Sequence, residues 1–243
     1  MSIIVTHINR NGIVHAADTN LTDKDGKHAG QAIKVFAIPR HEAGLTVAGT
    51  YAVAGARMDR WLADLTKNHK TSSLAEFVEM LRSSIEREAR PEQKRSGYFF
   101  HVAGFQRGDG DRHPEFYHIT NYTLTPEGNY KVDTPDKMKA SEDFWSQRGS
   151  KTLKQMFENG GGFIYCNGFP SGRQIYFSLL NKMSELRSEI WNNADWKFRP
   201  PANISEESDI LRKDMEQITL FFLQSDYSAP FIGGKIETLC LPF

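Results

Sequence analysis

The sequence has no net charge, no long apolar run and only two cysteines, and each lack excludes a class of protein. Lys+Arg and Asp+Glu both number 30, which removes the electrostatic basis for binding nucleic acid or an anionic membrane. No apolar run approaches the roughly 18 residues of a membrane-spanning helix, and residues 1–30 lack the basic start and apolar core of a signal peptide. We therefore expect a cytoplasmic protein. Cys166 and Cys240 both lie in strand-like segments, which predicts buried free thiols rather than a disulfide or a metal site.

Three other patterns suggest a ligand site, and each lacks a necessary part. Residues 109–111 (Asp-Gly-Asp) have no later glutamate to complete a calcium loop, and the glycines at 160–162 are not followed by Gly-Lys-Ser/Thr. His101 and His118 can face each other on adjacent strands, but two histidines without a third ligand rarely define a metal site. We expect neither a metal nor a cofactor.

The first half of the chain changes from strand-like to helical periodicity. Strand-like runs cover residues 3–5, 13–17, 34–39 and 45–49, and Asn11-Gly12 predicts a two-residue hairpin turn between the first two. Apolar residues then recur at spacings of three and four, which predicts two amphipathic helices, through Ala54, Met58, Trp61, Leu62 and Leu65, and through Leu74, Phe77, Val78, Leu81 and Ile85.

The second half repeats this order. Strands are predicted at 98–105, 115–122, 130–132 and 163–166, helices at 141–159, 175–190 and 211–222, and a final strand at 236–241. Asn203 or Ser205 is suited to cap the last helix. No linker divides the chain, so we predict one α+β domain over residues 1–243. Two antiparallel sheets stacked face to face, each covered by a helix pair, would bury every apolar face and give a four-layer αββα sandwich.

Ser2 is the clearest candidate for a reactive residue. A strand that starts directly behind Met1 requires a terminus that is held in place. Removal of Met1, which is usual before a small residue, would leave Ser2 with a free α-amine. Such an amine, with an unperturbed pKa of about 7.7 to 8.0, can act as the base for the hydroxyl of the same residue. The sequence therefore predicts an N-terminal serine nucleophile.

Asp18 and Lys34 follow Ser2 at separations of 16 and 32 residues. In this spacing the chain resembles the N-terminal-nucleophile hydrolases, and within them the proteasome β subunits, HslV and the bacterial proteasome homologue Anbu. The resemblance implies that Ser2 replaces the usual threonine nucleophile, that Lys34 supplies positive charge and that Asp18 orients it. We expect the Asp18 carboxylate to keep Lys34 protonated.

Further roles follow from the same resemblance. The N–H of Gly49 would form the oxyanion hole, Thr22 and Val47 would contact bound peptide, and Asp226 and Ser228 are candidates for the supporting Asp and Ser. The segment 228–237 resembles the segment of Anbu that leads into its last strand. Residues 168–172 resemble, more loosely, the loop that opens the third long helix of Anbu.

The function implied is hydrolysis of peptide bonds through an acyl-enzyme, in a homo-oligomeric ring or helical stack that acts on peptides or unfolded proteins, with an ATP-dependent unfoldase as a further partner. Two alternatives remain open. A retained Met1 would make the Ser2 nitrogen an amide without basicity, as in an inert structural subunit. The same nucleophile also suits an acylase or peptide ligase that acts on small amides.

Overall fold

The protein has a mixed α+β architecture, as predicted. The computed structural model describes residues 2–23, 25, 27–107, 112–124, 130–132, 137–140, 162–168, 173–193, 195, 199–224 and 232–243. The predicted helix at 141–159, the motif at 109–111 and the first two of the three glycines at 160–162 lie outside these ranges.

The described strands number fifteen and range from two to ten residues in length. They are β1 (Ile3–Asn9), β2 (Gly12–Asp18), β3 (Asn20–Thr22), β4 (His28–Gln31), β5 (Val35–Ile38), β6 (Ala43–Gly49), β7 (Ala52–Val53), β8 (Ala56–Arg57), β9 (Tyr98–Arg107), β10 (Arg112–Thr120), β11 (Tyr122–Leu124), β12 (Tyr130–Val132), β13 (Lys139–Ala140), β14 (Phe163–Gly168) and β15 (Ile236–Pro242).

The described helices form two groups along the chain. They are α1 (Met58–Asn68), α2 (Leu74–Glu88), α3 (Pro91–Ser96), α4 (Arg173–Asn192) and α5 (Ile204–Gln224). None of these helices combines the length and the apolar character needed to cross a membrane. Asn203 caps α5, because its Oδ1 accepts the Glu206 N–H at 3.0 Å, and this confirms one of the two predicted caps.

Two larger antiparallel sheets contain most of the strands. The first has the order β14-β1-β2-β15 and the second the order β13-β10-β9-β6-β5, while β3 with β4, β7 with β8, and β11 with β12 form separate pairs. The first sheet places the start of β1 and the end of β2 side by side, with Ile4 opposite Ala17. Ser2 and Asp18 therefore lie at the same end of these two inner strands.

The buried apolar residues form clusters that link particular elements. One cluster joins β6 and β9 to α1 and α2, and includes Leu45, Phe100 and Leu81. A second joins β1 and β2 to α4 and α5, and includes Val5 and Met215. Two smaller clusters contain residues of both sheets, among them Ile8 with Phe116 and Ile4 with Phe99, so the sheets contact each other through apolar side chains.

Three histidines interrupt this apolar contact between the sheets. Thr6 Oγ1 lies 3.1 Å from both His15 Nδ1 and His101 Nδ1, and Asn167 Nδ2 lies 3.1 Å from His101 Nε2 and from His118 Nε2. His101 and His118 pair across β9 and β10, which confirms that they face each other. Burial lowers the pKa of His15 to about 4, against a hydrogen bond to the Ala103 carbonyl that raises it. The ring of His15 is therefore neutral at pH 7.

The first hairpin differs from the prediction by one residue. Asn9 pairs with Gly12, so the two-residue turn is Arg10-Asn11 and Gly12 is the first residue of β2. Gly12 has φ +141°, and a Cβ atom there would lie 2.2 Å from Leu241 O. The glycine thus serves the close approach of β15, and the turn prediction was wrong because that contact is not local in the sequence.

Other differences concern short elements and one cysteine. The β3–β4 hairpin, β7, β8 and α3 were not predicted, since two to six residues carry little periodicity. The helix expected from Ala54 begins at Met58, because Ala54 has φ +52°, outside the helical region. Cys166 is buried as predicted, whereas Cys240 is only partly buried; both are free thiols.

Candidate active site

Ser2 lies immediately before β1 and is 4% exposed. Its neighbour Ile3 pairs with Gly168 at the end of β14, and a Cβ atom at Gly168 would lie 1.8 Å from Ser2 O. Gly168 has φ +124°, so this position combines a conformation that suits glycine with an approach that only glycine permits. The backbone of Ser2 is therefore held between two strands.

Asp18 ends β2 and is fully buried at 0% exposure. Its Oδ1 accepts the Ile3 N–H at 2.8 Å, and its Oδ2 accepts the Gly233 N–H at 3.3 Å. These bonds tie the carboxylate both to the residue after Ser2 and to the segment before β15. Charge-assisted bonds of this kind fix the orientation of the carboxylate.

Lys34 brings the predicted residues together. Its Nζ donates to Ser2 Oγ at 2.6 Å, to Asp18 Oδ1 at 3.2 Å and to the carbonyl oxygen of Asn20. Lys34 is 1% exposed and directly precedes β5, where its own carbonyl accepts the Val47 N–H at 3.0 Å. Three acceptors around Nζ match the three N–H groups of an ammonium ion.

Burial dominates the electrostatics of this cluster. Desolvation lowers the pKa of Lys34, while the charge of Asp18, the hydrogen bond that Lys34 donates to Asp18 and the charge of Glu237 oppose this shift. Desolvation also raises the pKa of Asp18, against Lys34 and the two backbone N–H donors. Asp18 thus acts on Lys34 in the expected direction, but burial is the larger influence and brings the two pKa values closer together.

Gly49 ends β6 in an exposed position with φ +89°. A Cβ atom there would lie 2.5 Å from Gly97 O, which already accepts the Thr50 N–H at 2.8 Å. The position thus requires glycine for two reasons, the positive φ and the contact with residue 97. Both features are compatible with a backbone N–H that is presented at the surface.

The remaining predicted residues have different surroundings. Thr22 is half-buried at the end of β3, in register with His28. The side chain of Val47 is 1% exposed and belongs to the cluster with α1 and α2, so it supports the strand next to Lys34 from within the core. Asp226 and Ser228 lie outside the described residues.

The structure adds groups that sequence reasoning missed. The carbonyl of Asn20 and the N–H of Gly233 are backbone groups, so no residue type could have indicated them. Glu237 lies on β15 opposite Ala17, and within the described part of the chain its Oε2 is buried without a hydrogen-bond partner. Glu237 as a whole is half-buried, and an acidic residue within a predicted strand was the signal that the sequence offered.

The arrangement can polarise a hydroxyl and stabilise negative charge on it, because a buried cation lies in direct contact with Ser2 Oγ. Within the described ranges, no group of three or more His, Cys, Asp or Glu residues is placed to hold a metal ion. No family model matches this chain, and no curated protein shows significant similarity to it.

Proposed function

We propose that the protein is a peptidase of the N-terminal-nucleophile type, with Ser2 as nucleophile after removal of Met1. The observation that supports this best is the contact of Lys34 Nζ with Ser2 Oγ at 2.6 Å and with Asp18 Oδ1 at 3.2 Å. All three side chains are buried, and Asp18 and Lys34 follow Ser2 by 16 and 32 residues. Burying the charge of a lysine costs free energy of folding. The contact between this buried lysine and the serine hydroxyl is therefore better explained by function than by stability.

In the proposed mechanism Ser2 Oγ attacks the carbonyl carbon of a peptide bond. The α-amine of Ser2 takes the proton of the hydroxyl and later passes it to the leaving amine. Lys34 stabilises the developing alkoxide, Asp18 holds Lys34, and the N–H of Gly49 donates to the oxyanion. Water then hydrolyses the ester of Ser2 and restores the free hydroxyl.

Trimming is essential to this proposal for two reasons. While Met1 is attached, the Ser2 nitrogen is an amide and cannot accept a proton. Ser2 is also only 4% exposed while Met1 is attached, so a substrate can reach its hydroxyl only after the start of the chain has changed. A protein that keeps Met1 would instead be the inert subunit of the same fold.

The proposal includes a four-layer αββα arrangement and a homo-oligomeric ring or helical stack. The layers are supported by the two helix-to-sheet clusters and by the apolar contacts between the sheets. Assembly is supported by exposed apolar side chains on α4 and α5, which are Ile175, Phe177, Leu186, Leu220, Phe221 and Leu223. The proposed substrates are peptides or unfolded proteins. An ATP-dependent unfoldase would deliver the unfolded proteins to the assembly.

Intact-mass spectrometry tests the chemistry directly. The purified protein is expected to be lighter by one methionine and to gain one adduct from a peptide epoxyketone, which reacts with the hydroxyl and the free amine of one residue. Ser2→Ala, which is also trimmed, is the matched control and should gain none. Trimmed protein that forms no adduct and cleaves no peptide would refute the peptidase, and turnover of small amides alone would favour the acylase.

A further inference from the structure

A second polar site lies at the other end of β1. A cavity of about 420 Å³ is bounded by the end of β1, the following turn, α4 and α5. His7, on its wall, is five residues from Ser2, or about 17 Å along an extended strand. The cavity is therefore separate from the cluster around Ser2, and its volume is in the range of small-molecule sites.

One pair of charges at this cavity is already neutralised. Arg187 on α4 donates to both carboxylate oxygens of Asp214 on α5, with Nη1 to Oδ1 at 2.6 Å. Burial raises the pKa of Asp214, and Arg187 opposes this shift. The bidentate pair joins the two helices, and the charge of Asp214 is balanced by Arg187.

Glu207 on α5 differs, because among the described residues no charged side chain is in contact with it. Its Oε1 lies 3.4 Å from His7 Nδ1, but burial and the charge of Arg187 lower the pKa of His7 to about 4. His7 is therefore neutral at pH 7, and the contact is not an ion pair. Burial also raises the pKa of Glu207, with Arg187, a hydrogen bond from Asn9 and the charge of Arg10 opposing it.

Arg10 provides the opposite charge at the same cavity. It lies in the β1–β2 turn, is exposed, and in the described part of the chain forms no ion pair, although its charge acts on Glu207. The lining also includes the indole of Trp191 and the ring of Pro200, which give an apolar surface beside the two charges. The cavity thus presents the Glu207 carboxyl group, the Arg10 guanidinium and the aromatic ring of Trp191. Among the described residues, Glu207 and Arg10 do not form an ion pair with each other.

We propose that this cavity binds a zwitterionic amino acid or short peptide, with the ligand's amine at Glu207, its carboxylate at Arg10 and its side chain against Trp191. A zwitterion is the one simple ligand that pairs both charges without adding net charge to a half-buried site. The inference does not depend on the reactivity of Ser2.

Ligand-observed saturation-transfer NMR on the full chain at pH 7 tests the proposal. The probes are the twenty amino acids, diglycine and triglycine, which vary the side chain and the spacing between the two charges. At least one should bind. Its N-acetyl form and its amide form should each bind at least roughly tenfold more weakly, because each loses one charge-assisted hydrogen bond.

Four variants locate the binding. Glu207→Gln and Arg10→Gln should each weaken the best probe by roughly tenfold or more. Arg212→Gln, on α5 in contact with Asp209 and Glu216, removes the same charge outside the cavity and should have no effect. Ser2→Ala should also bind normally. Circular dichroism checks folding, and if Glu207→Gln does not fold, Arg10→Gln at its exposed turn decides alone.

The proposal is overturned if none of the probes binds, if the blocked forms bind as well as the zwitterion, or if the cavity variants bind like the wild type. Loss of binding in Ser2→Ala with retention in Glu207→Gln would place the ligand at the Ser2 cluster instead and would overturn it equally.

Discussion

Replacing Lys34 by methionine removes a buried charge while it keeps most of the side-chain volume. The change deletes the donor to Ser2 Oγ, to Asp18 Oδ1 and to the Asn20 carbonyl at once. Asp18 keeps its two backbone donors, Ile3 N–H at 2.8 Å and Gly233 N–H at 3.3 Å. The site should therefore hold its backbone geometry and lose its cation.

Two magnitudes can be expected for this variant from typical values for buried ion pairs and catalytic electrostatics. Removing one partner of a buried ion pair typically costs about 3 to 5 kcal/mol of unfolding free energy, and we expect a value near the lower limit because Asp18 retains its backbone donors and can take up a proton. Domains are commonly stable by about 5 to 15 kcal/mol, so most of the protein should remain folded. Hydrolysis should fall by at least ~10²-fold, as for the loss of one preorganised electrostatic partner.

A double variant separates these two effects. Lys34→Met with Asp18→Asn replaces the ion pair by neutral groups, and the asparagine Oδ1 can still accept one of the two backbone N–H groups. Its unfolding free energy, from urea titration, should exceed that of Lys34→Met, while hydrolysis of a fluorogenic peptide stays at the low level. Lys67→Met, at the exposed end of α1, is the control for the substitution itself. A folded Lys34→Met protein with near-wild-type turnover would show that Ser2 and Lys34 do not form one catalytic site.

Three further predictions concern Gly49, to which we assign the oxyanion hole, the buried His15 and assembly. Gly49→Ala should lower the free energy of unfolding by about 1 to 2 kcal/mol because of the positive φ, and by more because of the contact with Gly97 O. Its turnover should fall more than that of the control Gly30→Ala, a position with φ +122° and open space around it. Equal losses of activity in the two variants would contradict the assignment of Gly49. Because the pKa of His15 is about 4 when folded and 6.5 when unfolded, the unfolded chain binds more protons between these values, so stability should fall by about 3 kcal/mol as the pH drops from 6.5 to 4. In His15→Gln the urea midpoint should depend less steeply on pH, and an unchanged slope would show that His15 is not the group responsible. Analytical ultracentrifugation should show a particle many times the 27.6 kDa chain, and a monomer at micromolar concentration would contradict the assembly.

The long elements could be predicted from the sequence because their periodicity reflects burial on one face. The predicted helix through Leu74 and Ile85 corresponds to α2, and the apolar residues that defined it are all buried. Short elements such as the β3–β4 hairpin could not be predicted in this way. Their positions depend on contacts with distant residues, such as the Asn20 N–H that donates to Gly233 O at 3.2 Å.

Asp18 and Lys34 were predicted through the resemblance to the N-terminal-nucleophile hydrolases, and in the structure Ser2, Asp18 and Lys34 each lie at a strand end or directly before a strand. The β1–β2 hairpin brings residue 18 beside residue 3, and the return of the chain through β3 and β4 brings residue 34 to the same end of these strands. The second cavity could not be found in this way. Arg10 and Glu207 are nearly 200 residues apart, and each looks like an ordinary surface charge until the fold places β1 against α5.

β1 and Ser2, the residue directly before it, contribute to the three polar clusters described above, and this has a consequence for the position of Ser2. Ser2 contacts Lys34, Thr6 contacts His15 and His101, and His7 contacts Glu207. A shift of one residue in the pairing of β1 would turn each of these side chains to the opposite face, leaving buried polar groups without partners in two clusters at once. Apolar residues on both faces, such as Ile3 and Ile4, tolerate such a shift far better, because both positions are buried. The polar residues of β1 therefore select its register, and through that register they set the contact between the hydroxyl of Ser2 and the amine of Lys34.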